Sequence, residues 1–442
     1  MEDAGMAAHV DAVGNVHGTI ASAAPGARAV LMGSHYDTVL DGGAYDGALG
    51  ILVAIAAVKG ALLRALAGGA GGGLAALGPQ PDEEAGDVSI PPALAASLLT
   101  RGSLHVVAFA DEEGVRFGST FLGSRAVAGT LLSYHMLGSK DTRTGATLEE
   151  VLREENGVAD PPSAVAALAL DPTTVSEYVE VHIEQGPVLE ARALPLGVVS
   201  GIAGQTRLLV HVNGTQGHAG TVPMAGRRDA LAAAAALVYT LEWLCSRSPD
   251  NGGAPEEDNL VCTVGDLRVW PGASNVIAGY TRLSVDIRSK TDDVRERVVE
   301  EVVAAVTAEC ERRGVACEVE RKHDAAAVLC DQGVMAGLQA AAKEAEALVG
   351  QVLTKEELAA AGPLEQGLRQ TPVLVSGAGH DAMAIAEAVP KMGMMFVRCR
   401  GGVSHSPLEH VEPYDVTAST AALASYLQER AVGSTGAVHD EL

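Results

Sequence analysis

The order of apolar segments in the first quarter of the chain limits what it can fold into. Residues 29–33 form a short apolar run that ends at Gly33-Ser34, and residues 104–110 form another that ends at Asp111-Glu112. Both runs have the length and the boundaries of buried strands. Residues 49–67, between them, are rich in Ala and Leu and predict a helix. A strand, a helix and a second strand in this order predict an α/β fold, in which helices connect the strands of one sheet.

Length, composition and charge narrow the class of protein. The 442 residues allow two or three domains, and 48% hydrophobic with 20% charged residues is ordinary globular usage. Lys and Arg number 31 against 56 Asp and Glu, and the net charge of −25 disfavours nucleic acid and anionic membranes as partners. The apolar run at 48–58 ends at Lys59, so no membrane span is predicted. We therefore expect a soluble protein that acts on a small molecule.

The six cysteines lie in the second half of the chain without a C-x-x-C pair. They are too sparse for the disulfide scaffold of a small secreted domain, so buried thiols are the expectation. These cysteines are Cys245, Cys262, Cys310, Cys317, Cys330 and Cys399.

A different succession of elements begins at Arg207. The pattern predicts a strand, a helix, two strands, a helix and a strand, at 207–212, 227–245, 260–269, 281–288, 292–313 and 315–321. This β-α-β-β-α-β order is that of a ferredoxin-like domain. We therefore place a second domain at 198–322, inserted into a first domain made of 1–197 and 323–442.

The first domain is expected to form a mixed sheet on both sides of this insertion. Strands at 372–376 and 392–398 and a closing helix at 415–431 are predicted after the second domain. The Gly- and Pro-rich residues 68–92 predict a flexible surface insertion that leaves the core intact.

Histidines and carboxylates concentrate in four short segments at the ends of predicted strands, where an open α/β sheet binds its ligands. A metal ion needs several such groups to converge, with neutral imidazoles and ionised carboxylates as ligands. Each residue taken alone is more simply explained as buried structure or as a solvated turn, and their combination is what predicts a site. The segments are 33–39 with 46–47, 111–114, 181–186 and 404–407.

Spacing within these segments indicates roles. His35 and Asp37 are two residues apart, so on an extended segment they share a side, and the Asp37 carboxylate can hold the imidazole tautomer. Adjacent Glu112 and Glu113 repel each other unless a cation separates them, which favours one as a metal ligand and the other as a proton shuttle. The glycines around Asp46 are expected to let the backbone approach a metal closely, and they are Gly42, Gly43, Gly47 and Gly50.

Several stretches closely resemble one enzyme family. They are GSHYDTV at 33–39, FADEEGVRF at 109–117, HIEQGP at 182–187, GHAGTVPM at 217–224, SGAGHDA at 376–382 and SHSP at 404–407. Over nearly its whole length the chain resembles the metal-dependent amidohydrolases of the aminoacylase and carboxypeptidase type. The nearest branch contains allantoate amidohydrolase and N-carbamoyl-L-amino acid hydrolase, and residues 204–208 and 396–402 look most like the eukaryotic allantoate enzymes.

The resemblance implies two divalent metal ions per subunit, Mn²⁺ by the allantoate likeness, with Zn²⁺ as the alternative. One ion is expected on His35, Asp46 and His182. The other is expected on Asp46, Glu113 and His405, so that Asp46 bridges the two.

The same resemblance implies roles for other residues. Glu112 matches the general base, and Asp37 is counted with the catalytic residues. The second domain is implied to be a lid that also forms a homodimer, in which His218 reaches the active site of the other subunit and stabilises negative charge. The implied substrate contacts are Gln185, Arg207, His218, Asn275 and Arg288. For His380 and Asp381 we expect a local structural role.

The implied reaction is hydrolysis of a terminal ureido group of allantoate, a step of ureide catabolism, to ureidoglycine, ammonia and carbon dioxide. An N-carbamoyl-L-amino acid hydrolase or a ureidoglycolate amidohydrolase, with the same chemistry on another ureido acid, is the first alternative. A non-catalytic relative that keeps the fold is an alternative of another class.

The chain departs from the family pattern in two places. Asp46 and Glu113 are 67 positions apart, farther than is usual in the family, and the insertion at 68–92 accounts for the excess. Residues 1–6 align inside the first domain of relatives, so an upstream segment is expected to be missing. We expect an endoplasmic-reticulum location if that segment holds a signal and a cytoplasmic one otherwise.

Overall fold

The chain divides into two compact units. The computed structural model describes residues 1–68, 89–247, 250, 252, 259–352 and 371–432. Met1–Ser200, Cys330–Leu374 and His380–Leu442 make up the larger unit, and Gly201–Leu329 with Val375–Gly379 make up the smaller one. The smaller unit therefore ends at Leu329 and not at 322, because its last strands continue past Lys322. Most of the insertion expected at 68–92 lies outside the described residues.

Strands and helices alternate along much of the chain. In chain order the strands are β1 (Ala7–Val10), β2 (Val16–Ile20), β3 (Ala29–His35), β4 (Ser103–Phe109), β5 (Val175–Ile183), β6 (Leu196–Ile202), β7 (Gly204–Asn213), β8 (Gly217–His218), β9 (Val261–Thr263), β10 (Leu267–Trp270), β11 (Val276–Ile277), β12 (Tyr280–Ser289), β13 (Ala316–Ala325), β14 (Val328–Leu329), β15 (Val373–Ser376) and β16 (Met392–Val397). The α-helices are α1 (Ala48–Gly68), α2 (Pro92–Leu98), α3 (Leu122–Ala128), α4 (Leu148–Glu154), α5 (Pro161–Ala166), α6 (Val188–Ala191), α7 (Ala230–Cys245), α8 (Asp292–Arg313), α9 (Gln332–Val352), α10 (Asp381–Ile385) and α11 (Pro413–Leu427).

The main sheet is mixed, with the order β1-β2-β4-β3-β5-β16-β6-β14 and β15 beside β6. Its central strands β4, β3, β5 and β16 are parallel, whereas β1, β2 and β6 pair antiparallel with their neighbours. Parallel central strands are buried on both faces, and this is why they read as nearly continuous apolar runs in the sequence. Because the central strands are parallel, their carboxyl ends meet at one edge of the sheet.

Helix α1 is an internal helix of the larger unit. It packs against β3, β5 and α11, and Gly50 allows the closest approach, since a Cβ there would lie 2.0 Å from the carbonyl oxygen of Val181. In the described part of the chain, α1 is also the one helix that is long and apolar enough to cross a membrane by length and composition. The apolar stretch thus continues past Lys59, contrary to the sequence expectation, and its burial against the sheet explains its composition.

The smaller unit has an antiparallel sheet of order β10-β12-β7-β13, with β9 also paired to β12. Helices α7 and α8 supply its core together with the sheet, through residues such as Val210, Leu237, Leu283 and Val302. The prediction of one continuous strand at 260–269 is wrong, because the structure has two strands there, β9 and β10. The register against β12 shifts by one residue between them, where the Asp266 amide donates to the Ser284 hydroxyl at 2.9 Å.

The expectation of six buried thiols is also wrong for four of them. Cys245 at the end of α7 pairs with Cys262 on β9, and Cys310 near the end of α8 pairs with Cys317 on β13. In both pairs the Cα atoms are 6.1 Å apart, a separation that suits a disulfide. Cys330 and Cys399 are buried thiols, as expected. Each disulfide joins a helix end to a strand that packs against it, a relation that spacing in the sequence does not reveal.

Candidate metal centre

The candidate metal centre lies at the carboxyl edge of the parallel strands in the larger unit. His35 is the last residue of β3, Glu112 and Glu113 follow β4, and His182 is the penultimate residue of β5. Ligand sites of open α/β sheets occur at this edge because loops from neighbouring strands meet there. The polar side chains that gather at this edge are His35, Asp46, Glu112, Glu113, His182, Gln185 and His405.

One cluster of possible metal ligands consists of His35, Asp46 and His182, all buried. Asp46 Oδ1 lies 3.1 Å from His182 Nε2 and 3.7 Å from His35 Nε2, and the two Nε2 atoms are 3.4 Å apart. The Nδ1 atoms of both histidines form hydrogen bonds with the backbone. His35 Nδ1 donates to the Asp37 carbonyl and His182 Nδ1 to the Ile183 carbonyl, both at 2.9 Å. Both imidazoles therefore turn Nε2 towards Asp46, the tautomer arrangement typical of metal-ligating histidines.

A second cluster consists of Asp46, Glu113 and His405. His405 Nε2 lies 3.2 Å from Asp46 Oδ2 and 3.2 Å from Glu113 Oε1. Gln185 belongs to the same surroundings, since its amide nitrogen donates to Asp46 Oδ2 at 2.9 Å. Asp46 is thus common to both clusters, with one carboxylate oxygen directed to each.

The side chains of both clusters fit a cation. Asp46 Oδ1 is buried and receives no well-aligned hydrogen bond, although a buried carboxylate oxygen is costly without a partner. Burial opposes protonation of His182, but the 3.1 Å contact with Asp46 and the negative charge of that carboxylate outweigh it and raise the His182 pKa to about 9. Hydrogen bonds to Asp46 and Glu113 raise the pKa of His405 to about 10. Protons on these imidazoles therefore balance the carboxylates, and a metal ion would displace them.

Glu112 is buried close to other carboxyl groups. Burial raises the pKa of Glu112 well above its usual range, and the charges of Asp381 and Glu113 raise it further. A carboxylate with such a raised pKa can accept a proton and hold it near neutral pH. Asp381, for which only a local structural role is expected from the sequence, is itself fully buried. Together with buried Glu180, it makes the region next to Glu112 strongly acidic.

The Asp37 carboxylate makes other contacts than the one expected with His35. The His35 tautomer is held by the backbone carbonyl of Asp37, while the Asp37 carboxylate lies 3.8 Å away. That carboxylate instead accepts the backbone N–H groups of Glu112 at 2.9 Å and Glu113 at 3.1 Å. Asp37 therefore fixes the backbone that carries the two glutamates.

Three residues of the centre adopt backbone conformations that side chains disfavour. Asp111, Gln185 and His405 have φ angles of 52°, 55° and 53°, in the left-handed region. Non-glycine residues in that region cluster at functional sites, where the surrounding structure holds them in place. Here the strained residues all stand in the loops that follow β4, β5 and β16.

Sequence reasoning missed Glu409, which holds the loop of Asp46. Its Oε1 accepts the backbone N–H of Tyr45 at 2.7 Å and that of Asp46 at 3.0 Å. A Cβ on Gly43 would lie 2.2 Å from this oxygen, and one on Gly47 would lie 2.5 Å from the His35 ring. These glycines therefore make room for the side chains of Glu409 and His35. The expectation from the sequence was that they let the backbone approach a metal ion. Glu409 is four residues after His405, a proximity that could have suggested a supporting role.

The remaining predicted site residues belong to the smaller unit. Arg207 and Arg288 both bind Asp286, Arg207 through Nε at 3.2 Å and Arg288 through Nε at 2.8 Å. His218 and Asn275 are neighbours, since β8 pairs with β11 and the Ala219 amide donates to the Asn275 carbonyl at 2.9 Å. The structure therefore groups the predicted residues into three sets. The metal-type residues and Gln185 lie in the larger unit, and the two arginines and the His218–Asn275 pair lie in the smaller one.

Converging nitrogen and oxygen ligands beside a carboxylate that can take up a proton are what hydrolysis assisted by a metal ion requires. The fold and the site thus define a metal-dependent hydrolase. The chain belongs to peptidase family M20/M25/M40, whose profile matches residues 92–429.

Individual relatives support this assignment. The chain is 45% identical to the probable allantoate deiminase of Oryza sativa subsp. japonica, over 100% of this chain and 82% of that protein. It is 34% identical to the N-carbamoyl-L-amino acid amidohydrolase of Geobacillus stearothermophilus, over 92% and 83%. Among solved structures, that of AtUAH in complex with glyoxylate matches with a TM-score of 0.69 and 28% identity, over 96% of this chain and 86% of that one.

Replacement of Glu409 by Ala is expected to weaken metal binding about 10–100-fold, the range for residues that support metal ligands. The change leaves the N–H groups of Tyr45 and Asp46 without their acceptor, so that Asp46 is no longer held in place. Mn²⁺ and Zn²⁺ affinities measured by competition with a chelator test this. Glu409→Gln, which keeps an accepting oxygen, should lose less. Glu412→Ala, which removes a carboxylate paired with exposed Arg400, is the control. Wild-type affinity in Glu409→Ala would contradict the assignment.

Proposed function

We propose that the chain hydrolyses a terminal ureido group of allantoate. Water adds to the ureido carbonyl and the terminal C–N bond breaks, which releases ammonia. The carbamate that remains loses carbon dioxide to leave ureidoglycine. The observation that carries the proposal is the Asp46-centred cluster in a chain 45% identical, over its whole length, to a probable allantoate deiminase.

Two divalent ions would be held by the two clusters, one by His35, Asp46 and His182 and the other by Asp46, Glu113 and His405, with Asp46 shared. Nitrogen and oxygen ligands without Cys suit Mn²⁺ or Zn²⁺, and we favour Mn²⁺. When bound, the metal pair polarises the scissile carbonyl and makes a water molecule more acidic.

Glu112 then acts as the proton carrier. Its raised pKa lets it accept a proton from the attacking water and donate it to the leaving nitrogen in the same catalytic cycle. Asp37 holds the Glu112 and Glu113 amides through its carboxylate, so that the base and the adjacent ligand keep a constant separation. Asp37 is in this sense a positioning residue.

Residues outside the metal clusters would bind the substrate. Gln185, which donates to Asp46, stands beside the reacting group. Arg207 and Arg288 suit the substrate carboxylate, since guanidinium groups bind carboxylates with paired hydrogen bonds. Asn275 and His218 would complete the contacts, with the smaller unit acting as a ferredoxin-like lid.

A second candidate is the same reaction on another ureido acid. The 34% identity to an N-carbamoyl-L-amino acid amidohydrolase favours it, since an N-carbamoyl-L-amino acid is itself a ureido acid. The chemistry at the metal clusters would be the same, and the contacts of the substrate-binding residues would differ.

A substrate panel separates these candidates. Allantoate, ureidoglycolate and several N-carbamoyl-L-amino acids should be incubated with the protein loaded with Mn²⁺ or Zn²⁺, and ammonia release measured. We expect allantoate with Mn²⁺ to give the highest kcat/KM, at least tenfold above the other acids. A higher kcat/KM for an N-carbamoyl-L-amino acid would identify that acid, and not allantoate, as the substrate. The absence of turnover with every ureido acid would contradict the proposed function.

Glu112 and Glu113 should respond differently to the same isosteric change. Glu112→Gln is expected to keep two metal ions per subunit and lose about 10²–10⁴-fold in kcat, because an amide cannot accept the proton. Glu113→Gln is expected to lose one of the two ions, because in the proposed assignment its carboxylate holds only the ion shared with Asp46 and His405. Metal analysis and steady-state kinetics on both variants test this assignment. Two firmly bound ions in Glu113→Gln would show that the two roles are misassigned.

We further propose that the active form is a homodimer in which His218 serves the site of the other subunit. His218 is exposed and lies in the smaller unit, whereas the metal clusters lie in the larger one. Mixing inactive His218→Ala subunits with inactive Glu112→Gln subunits should restore activity, because each mixed dimer regains one site with both groups intact. Subunit exchange followed by mass measurement is the control. Exchange without recovered activity would rule out action on the other subunit.

A further inference from the structure

One carboxylate in the smaller unit holds two arginine side chains from neighbouring strands. Arg288 donates to Asp286 Oδ1 from Nε at 2.8 Å and to Oδ2 from Nη2 at 3.1 Å. Arg207 donates to the same Oδ2 from Nε at 3.2 Å. Strand β12 carries Asp286 and Arg288, and Arg207 lies opposite Asp286 on β7. The antiparallel register therefore brings the three charges together on one face of the sheet.

Each guanidinium is fixed by a second acceptor as well. Arg288 Nη1 donates to the Gly377 carbonyl at 2.7 Å, and Arg207 Nη2 lies 3.4 Å from the Gln205 side-chain oxygen. A guanidinium has five N–H donors. These bonds therefore use three donors of Arg288 and two of Arg207, and within the described residues the other donors have no protein acceptor.

The three side chains line an open cavity of about 520 Å³. Other parts of its wall come from Val261, Thr263 and Ser284, none of which is charged. The two guanidiniums and the single carboxylate give the wall a net charge of +1. A pocket of this charge, with several unused N–H donors on two arginines, matches a ligand with one carboxylate.

We propose that Asp286 is a positioning residue for substrate binding, which holds Arg207 and Arg288 in the orientation that a single substrate carboxylate requires. This rests on the proposed function, in which the two arginines bind the carboxylate of a ureido acid. Asp286 contacts no reacting group in this scheme. It acts by ordering two long side chains before the substrate arrives, so that binding does not have to order them.

Replacement of Asp286 has two opposite effects on the affinity for an anionic ligand. The proposal predicts which of the two is larger. Removing its negative charge makes the pocket more positive, which by itself strengthens anion binding. An asparagine in its place offers a single uncharged acceptor oxygen to the two guanidiniums, so the arginines are less firmly held, and each side chain that must then be immobilised on binding weakens binding. The proposal requires that the second effect is the larger.

The test compares Asp286→Asn with Asp266→Asn in the Mn²⁺-loaded protein. Asp266 is a matched control, because it binds Arg268 and Arg282 on the same sheet and does not line the cavity. For Asp286→Asn we expect KM for allantoate to rise about tenfold, the loss that corresponds to one or two side chains that must be ordered on binding, with kcat within about threefold of wild type. Asp266→Asn should change neither constant.

A binding measurement keeps this proposal separate from the proposed reaction. Calorimetry with N-carbamoylglycine and with its neutral amide, which lacks the carboxylate, needs no turnover. Asp286→Asn should weaken binding of the acid about tenfold and leave the amide unchanged. If no ureido acid is turned over but this difference holds, the reaction is wrong and the role of Asp286 stands.

Three results would overturn the role of Asp286. They are an unchanged or lower KM, tighter binding of the acid, and equal losses for the acid and the amide, which would indicate a general structural effect. If Asp286→Asn does not fold, Asp286→Glu keeps the charge and displaces it by one methylene, and the same comparison of acid with amide applies. The melting temperature of each variant shows whether it has folded.

Discussion

The centre of the larger unit depends on the buried carboxylate of Asp46, which is 4% exposed. One of its oxygens faces two imidazoles without a well-aligned hydrogen bond from the described residues, and the other faces His405 and the Gln185 amide. A carboxylate removed from water in this way is stabilised only by positive charge at close range. The neighbouring residues are arranged for that purpose, because carbonyl groups hold His35 and His182, and Glu409 holds the Asp46 backbone.

The two units use a shared carboxylate in opposite ways. Around Asp46 the protein presents acceptor atoms and leaves the positive charge to a metal ion, as a hydrolase of this family requires. Around Asp286 the protein supplies the positive charge itself, through Arg207 and Arg288, and leaves unused donors for an anion. In the proposed function, the Asp46 carboxylate organises the groups that activate the substrate, and the Asp286 carboxylate organises the arginines that bind the substrate carboxylate.

Local sequence signals predicted many elements closely. Helix α8 has the expected bounds, Asp292–Arg313, because acidic residues open its first turn and Gly314 ends it with a φ of 67°. The apolar runs at 29–33, 104–110 and 392–398 are all strands, since buried parallel strands leave a strong apolar signal. Predictions failed where the outcome depends on residues distant in the sequence. The two disulfides, the break between β9 and β10 and the support from Glu409 are of this kind.

The sequence by itself determined the α/β class, the family and the types of residue available for a metal centre, because apolar periodicity and short motifs are local properties of the chain. Only the tertiary structure decided which atoms meet. It turned the Asp37 carboxylate to the Glu112 and Glu113 amides while the Asp37 carbonyl took His35, and it placed Asp381 next to Glu112. It also joined Arg207 to Asp286 across two strands. Hydrogen-bond direction and burial depend on strand register and loop path, and these are properties of the whole folded chain.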